Sequence, residues 1–258
     1  MRWFRSYIQW RMKSVNAHGI HSPFLYDLYT RAIAPSRGDH SLKAVEELRS
    51  EMLHSRARVP NIDLGAGSRK NNGSETEVRR IASVSVKPVR EARLLHRIAA
   101  WLKPRCILEL GTSLGISTLY LADACPHAEI HTIEGNPYIR NLAVQNFEKS
   151  GFVNILSHEG NFDEVLPVLL PKVPPPDMVF IDGNHTYEAT LRYYGMFAGA
   201  PQKPVCIIFD DIYWSEGMQK AWQEIYARPE VTLSLDLFHM GIVFFNPDLT
   251  KEHYYIRY

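Results

Sequence analysis

The sequence predicts an α/β fold in which parallel strands alternate with helices and an antiparallel hairpin closes the sheet. Three observations carry this. Short apolar runs at Cys106–Leu110, Glu129–Glu134, Phe152–Leu156, Asp177–Asp182 and Pro204–Phe209 recur at intervals that each leave room for one helix. The segments between them carry apolar residues at helical spacing, which calls for helices on both faces of the sheet. Near the end of the sequence, Val231–Phe238 and Ile242–Phe245 flank the turn His239-Met240-Gly241, as a hairpin requires.

At 258 residues and 45% hydrophobic content the chain can bury a full core. The expected division is a helical and loop extension over 1–87 and one α/β domain over 88–258. A net charge of +1 gives no general nucleic-acid footprint. No run approaches the roughly 18 apolar residues that span a bilayer, and no apolar signal core opens the sequence, so a cytoplasmic protein is expected. Cys106 and Cys206 fall inside predicted strands, where a thiol behaves as a small hydrophobe; neither a structural disulfide nor a cysteine metal site is expected.

Taken in order, Met1–Lys13 sets Trp3, Phe4, Tyr7, Ile8 and Trp10 among Arg2, Arg5, Arg11 and Lys13, the pattern of a short basic amphipathic helix. Such a segment can touch a membrane surface, but more often it packs on its own domain or on a second subunit, which makes a homodimer contact one expectation for it. His18-Gly-Ile-His-Ser-Pro-Phe24 reads as a turn, with His18 and His21 in capping or loop hydrogen bonds. Leu42, Val45, Leu48 and Met52 share one helical face. Asp63-Leu-Gly-Ala-Gly-Ser68 looks like a ligand loop but lacks a buried strand before it and a helix after it. Asn61–Gly73 is therefore expected to be an exposed loop.

Pro88 suits a helix start, with Val89, Ala92, Leu95, Ala99 and Leu102 on one stripe. Cys106-Ile-Leu-Glu-Leu-Gly-Thr-Ser-Leu-Gly-Ile-Ser-Thr-Leu-Tyr-Leu121 then reads as buried strand, tight loop and helix start. Gly111 and Gly115 let the backbone approach a ligand, and the helix start offers amide donors there. The spacing is Glu-x-Gly-x-x-x-Gly, without the Gly-x-Gly-x-x-Gly of a dinucleotide site or the Gly-Lys-Ser/Thr of a phosphate loop. Glu134 ends the second strand about twenty residues on, where Rossmann-like folds place a ribose-binding carboxylate. Pro137–Ser150 is the next helix, with Ile139, Leu142, Ala143 and Phe147 inward and Gly151 as its cap. Beyond the fourth strand, Gly183-Asn184-His185 opens a helix whose face holds Tyr187, Leu191 and Tyr194. Ser215 caps another that buries Met218, Ala221, Trp222 and Ile225.

From about Pro88 to about Asn246 this order resembles the class I S-adenosylmethionine (SAM)-dependent methyltransferases. The resemblance implies their Rossmann-like sheet and a SAM site at Glu109, Gly111, Thr112, Ser113 and Gly115, with Glu134 on the ribose. Glu159-Gly-Asn-Phe-Asp163 resembles the family's adenine turn, with Asn161 and Phe162 at the base; Phe162 suits core packing nearly as well. Ligands in open α/β sheets bind beyond the carboxyl ends of the strands, so Glu109, Glu134, Asp182, Asp210 and Asp211 are expected to converge on one rim. Asp182, Asp210 and Asp211 resemble the acids of metal-dependent O-methyltransferases of the catechol, caffeoyl-CoA and macrocin types, which hold Mg²⁺ or a similar divalent cation. The paired Asp210-Asp211 stands closer to the macrocin pattern, in which a histidine three residues after the first acid is the base; His185 follows Asp182 at that spacing. Two readings of these residues stay open: a metal and base site, or pocket polarity and helix capping. The resemblance implies methyl transfer to a hydroxyl of a small molecule; the alternative is a catalytically silent Rossmann-like binding or interaction module.

Overall fold

The computed structural model describes residues 2–34, 42–60 and 75–258. The chain divides into two compact units, one of Met1–Pro35 with Pro175–Tyr258 and one of Ser36–Pro174, so the first 87 residues are shared between them. It begins in the first unit with helices α1 (Arg2–Lys13) and α2 (Pro23–Leu28). The second unit follows as α3 (Lys43–His54), β1 (Arg58–Pro60), β2 (Glu75–Glu77), α4 (Val78–Ser85), α5 (Val89–Leu102), β3 (Cys106–Leu110), α6 (Ile116–Ala124), β4 (Glu129–Glu134), α7 (Pro137–Ser150), β5 (Ile155–Glu159) and α8 (Phe162–Leu169). The chain returns to the first unit for β6 (Met178–Ile181), α9 (Tyr187–Ala198), β7 (Cys206–Asp210), α10 (Glu216–Ala227), β8 (Leu233–Asp236), β9 (Met240–Phe244) and β10 (Glu252–Tyr255). The loop expected at Asn61–Gly73 lies outside the described residues.

In the second unit β3, β4 and β5 run parallel, with Cys106 opposite Glu129 and Ile130 opposite Ile155. Every residue of β3 is buried, which requires cover on both faces of the strand. β3 and β4 have the predicted boundaries, whereas β5 begins three residues after the predicted Phe152. Its ladder to β4 fixes it, not its own apolarity: Val153 is 97% exposed and precedes the strand. Val59, in a stretch that reads as a poor strand, joins a two-stranded antiparallel ribbon opposite Thr76. The predicted stripe of α3 is buried, and Val45, Leu48 and Met52 pack in one cluster with Leu119, Tyr120 and Phe147. Asn136 caps α7 by accepting from the Tyr138 and Ile139 amides, and Gly151 ends it in the left-handed region at φ 76°.

In the first unit the strand order is β10-β8-β9-β7-β6. β6 and β7 are parallel, and β9 runs antiparallel to both β7 and β8, which is the predicted closing hairpin. β10, unforeseen in the sequence, adds in parallel to β8. Ser215 accepts from the Met218 amide, and α10 buries the four predicted residues. In α9 the buried stripe is Ala189, Thr190, Tyr193, Tyr194 and Phe197, with Leu191 only half-buried. Cys106, Cys125 and Cys206 are buried free thiols, and burial pushes Cys206 up to about 12. Among the described residues no helix is long and apolar enough to cross a membrane.

The first unit is gathered around Asp236, a carboxylate with no solvent exposure. Its Oδ2 accepts from the Tyr213 hydroxyl at 2.8 Å and the Trp222 indole at 3.1 Å, and its Oδ1 from the Phe238 amide at 3.0 Å. Its backbone carbonyl accepts from the Trp10 indole at 3.1 Å. Burial nevertheless pushes the carboxyl up to about 6. Asp236→Asn would turn an amide donor toward these donors and leave one without an acceptor. Denaturant unfolding of that variant is expected to show a loss of about 1–3 kcal/mol, the cost of stranding a buried polar group.

Candidate active site

Glu109 sits inside β3, fully buried. Its Oε1 accepts from Ser117 at 2.7 Å, and its Oε2 from Thr118 at 2.5 Å and Thr132 at 2.7 Å. Because Thr132 gives its proton to Glu109, the Thr112 hydroxyl is the donor in the 2.6 Å contact between the two threonines. Burial raises the Glu109 carboxyl above the ordinary carboxylate range, while the three hydroxyls and the charge of nearby Lys87 work the other way. Glu109 therefore belongs to the site as the brace of the glycine loop, joining β3 to β4 and to the first turn of α6.

The loop itself is held by its own backbone. The Gly111 and Thr112 amides both donate to the Ile133 carbonyl at 3.1 Å, and the Gly115 amide donates to Thr112 at 2.8 Å. Gly111 stands at φ 106° and Gly115 at φ 79°, conformations that glycine alone adopts freely. Gly115 is the N-cap of α6 and contributes no side-chain hydrogen bond, so the first-turn amides meet no capping side chain. Ser113, left-handed at φ 46°, donates its amide to Glu134 Oε2 at 2.8 Å and its hydroxyl to Ser85 at 2.8 Å.

Glu134 ends β4, half-buried, with Oε1 accepting from the Asn136 amide at 2.9 Å. Two backbone amides orient the carboxylate and leave lone pairs on both oxygens, the acceptor set that a ribose diol requires. Burial raises its carboxyl, and the amides of Asn136, Ser113 and Gly135 oppose that. Hydrogen bonds thus bring Glu109, Thr112, Ser113, Gly115 and Glu134 together around the glycine loop. Asn161 is the N-cap of α8 and spends its carbonyl oxygen on the Asp163 amide at 3.0 Å, which leaves its amide hydrogens as donors toward a ligand; Phe162 is half-buried in the first turn.

The acids of the first unit lie at and just beyond the ends of β6 and β7. Asp182 follows β6, and its Oδ1 lies 3.7 Å from His185 Nε2. The turn between them is pinned: Asn184 is left-handed at φ 53° and donates its side-chain amide to the buried Tyr193 hydroxyl at 3.1 Å. The helix cap is Thr186, which accepts from the Ala189 amide, so His185 stands outside the helix and its ring is not used for capping. Asp210 is the buried last residue of β7. Asp211 leaves the strand at φ 53° and donates its amide to the His239 carbonyl at 2.8 Å. Among the described residues no group of three or more His, Cys, Asp or Glu side chains could hold a metal ion. The divalent-cation site expected of Asp182, Asp210 and Asp211 is therefore not shown as a preformed cluster, and Asp182 lies with His185. Carboxylate oxygens are the ligand type that Mg²⁺ takes, but among the described residues no three such side chains are gathered into one group.

Three residues of the site carry no readable signal in the sequence. Ser85 and Lys87 lie in Ser-Val-Lys-Pro, a stretch that reads only as the approach to a helix, and Tyr193 sits one residue before the tyrosine expected on the helix face. A Cβ added at Gly115 would meet the Phe147 ring, and the backbone there is already left-handed. Gly115→Ala is expected to lower stability by about 1–3 kcal/mol in chemical denaturation, from strain and overpacking together.

Comparison with known proteins places these residues in a family. Residues 108–212 match a family described as a methyltransferase domain. The chain is 31% identical to a catechol O-methyltransferase of Niastella koreensis over 152 residues, which is 58% of this chain and 66% of that protein. Solved structures share the fold at lower identity. The O-methyltransferase TomG of Streptomyces achromogenes, in complex with SAM, superposes with a TM-score of 0.56 at 19% identity, over 85% of this chain and 95% of that one. The methyltransferase PaMTH1 of Podospora anserina, bound to S-adenosylhomocysteine, gives 0.59 at 16% identity, over 88% and 97%. With the glycine loop, the acid ending β4, the parallel strands and the closing hairpin in the order the family has them, the chain belongs to the class I SAM-dependent methyltransferases.

Proposed function

We propose that this protein transfers the methyl group of SAM to a hydroxyl of a small molecule. The observation that carries the proposal is the Asp182–His185 pair, held at 3.7 Å on a left-handed turn within the region matched by the methyltransferase family. A binding module has no need of such a pair.

The cofactor supplies an electrophilic methyl carbon on a sulfonium. Glu134 is assigned to the ribose hydroxyls, and the loop from Gly111 to Gly115 to the rest of the cofactor. Asn161 and Phe162 are assigned to the adenine, Asn161 through its amide hydrogens. The Asp182 carboxylate lies 3.7 Å from Nε2 of His185, close enough to stabilise a protonated ring, and Nδ1 is assigned as the base. Nδ1 would take the acceptor hydroxyl proton as that oxygen attacks, and the bound cofactor would supply the methyl carbon and keep the electron pair of the broken C–S bond on its sulfur. The aspartate supports the imidazolium so formed, and positioning supplies most of the remaining acceleration. The likeness to a catechol O-methyltransferase supports a hydroxylated acceptor.

Titration calorimetry with S-adenosylhomocysteine tests the cofactor half. Glu134→Gln should weaken binding by about tenfold, since its amide group would oppose one of the two backbone donors. Wild-type affinity should fall as the pH is lowered through the raised Glu134 value, above the ordinary 4.5, because protonation removes acceptor capacity. No heat with the wild type would refute the assignment. The chemical half is tested with an identified acceptor: His185→Ala should lower kcat by about 10²–10⁴-fold, the usual range for a lost general base, while S-adenosylhomocysteine affinity stays within a few-fold. Unchanged kcat in that variant would remove His185 from the mechanism.

A further inference from the structure

The helix α1 has two apolar faces, and the fold uses one of them. Trp10 is buried 5.5 Å from the Phe238 ring, and Trp3 and Tyr7 meet that ring edge-on at 5.1 Å while staying 52% and 36% exposed. Phe4, Ile8 and Met12 follow at four-residue steps on the far side and are 61%, 42% and 82% exposed. At about 100° per residue Arg11 falls on one flank of this outer stripe and Arg5 on the other, both exposed. Lys13 at the end of the helix lies over the Tyr255 ring at 5.2 Å. The helix contains no acidic residue, although the whole chain carries a net charge of only +1.

We infer that the outer face of α1 docks the protein on an anionic lipid bilayer. Apolar side chains flanked by arginines on both sides match a helix lying in the headgroup plane, with Phe4, Ile8 and Met12 entering the acyl boundary and Arg5 and Arg11 meeting the phosphates. The helix is about 18 Å long, ample for interfacial binding and far short of a span. Charge decides against a second copy of this chain as the occupant. A two-fold pairing of this face would set Arg5 and Arg11 beside the same residues of the other helix, with no acid on either to meet them. The inner face need not move for docking, because Trp10 is already fixed by its hydrogen bond to the Asp236 carbonyl.

Vesicle co-sedimentation of the full chain tests this independently of methyl transfer, with vesicles of phosphatidylcholine alone and of an equimolar mixture with phosphatidylglycerol. The wild type should sediment with the mixed vesicles, remain in solution with phosphatidylcholine alone, and be released by added salt. Ile8→Glu, and separately Arg5→Glu with Arg11→Glu, should lower partitioning by about tenfold or more while circular dichroism and the unfolding midpoint stay at wild-type values, since all three positions are exposed. Equal binding to both vesicle types, no binding to either, or full binding by these variants would overturn the inference. So would a wild-type dimer that Ile8→Glu dissociates, which would show that a second copy covers the stripe.

Discussion

Glu109 is the constraint on which the glycine loop depends. A carboxylate without access to water inside a parallel strand is strongly unfavourable unless its oxygens are met by donors. Ser117 and Thr118 from α6 and Thr132 from β4 meet them, and Thr112 joins through Thr132. Those hydroxyls can all reach only when β3, β4 and the first turn of α6 stand in one mutual arrangement. The glycine loop spans β3 and α6, so its ends are fixed before any ligand arrives. Preorganisation of this kind keeps a site from having to order itself on binding.

The first unit shows a related economy at the ends of its strands. Asn184, Asp211 and Phe238 are left-handed and follow β6, β7 and β8 in turn. Asparagine and aspartate tolerate that region, but phenylalanine there is an outlier that its surroundings must enforce. The enforcing groups are the Asp236 carboxylate on its amide and the rings of Trp3, Tyr7, Trp10, Tyr213 and His239 around its side chain. The Tyr213 ring stacks on Phe238 at 4.7 Å and lies two residues beyond Asp211, so the aromatic cluster holds the segment that follows β7.

What could be read in the sequence was what a local pattern decides. β3 and β4 are apolar runs cut off by turn residues, and α10 is a capped stripe; all three fall where the pattern puts them. β5 and β10 were displaced or missed because pairing places them: β5 follows the ladder of β4, and β10, half-buried Glu252–Tyr255, has no apolar run and adds to β8. The strand-end acids show a deeper limit. A carboxylate at the end of a strand is visible in the letters, but its direction is not. Glu109 turns inward to three hydroxyls, Asp182 lies with His185, and Asp211 stands in the left-handed region directly after Asp210. The supporting residues Ser85 and Lys87 were hidden for the same reason, since nothing local ties a serine to a loop 28 residues away.

The position of α1 also says something about how the chain reaches its fold. Trp10 bonds to a carbonyl 226 residues further along the chain, and Val15 pairs with Ile256 in a parallel bridge. On the ribosome the aromatic helix is made well before Asp236, Phe238 and Tyr255, which follow it by more than 200 residues. Loop closure across that separation must precede any gain from these contacts, so the helix is an early product and a late arrival. Until those partners are made, both apolar faces of the helix are uncovered, which leaves it open to premature association.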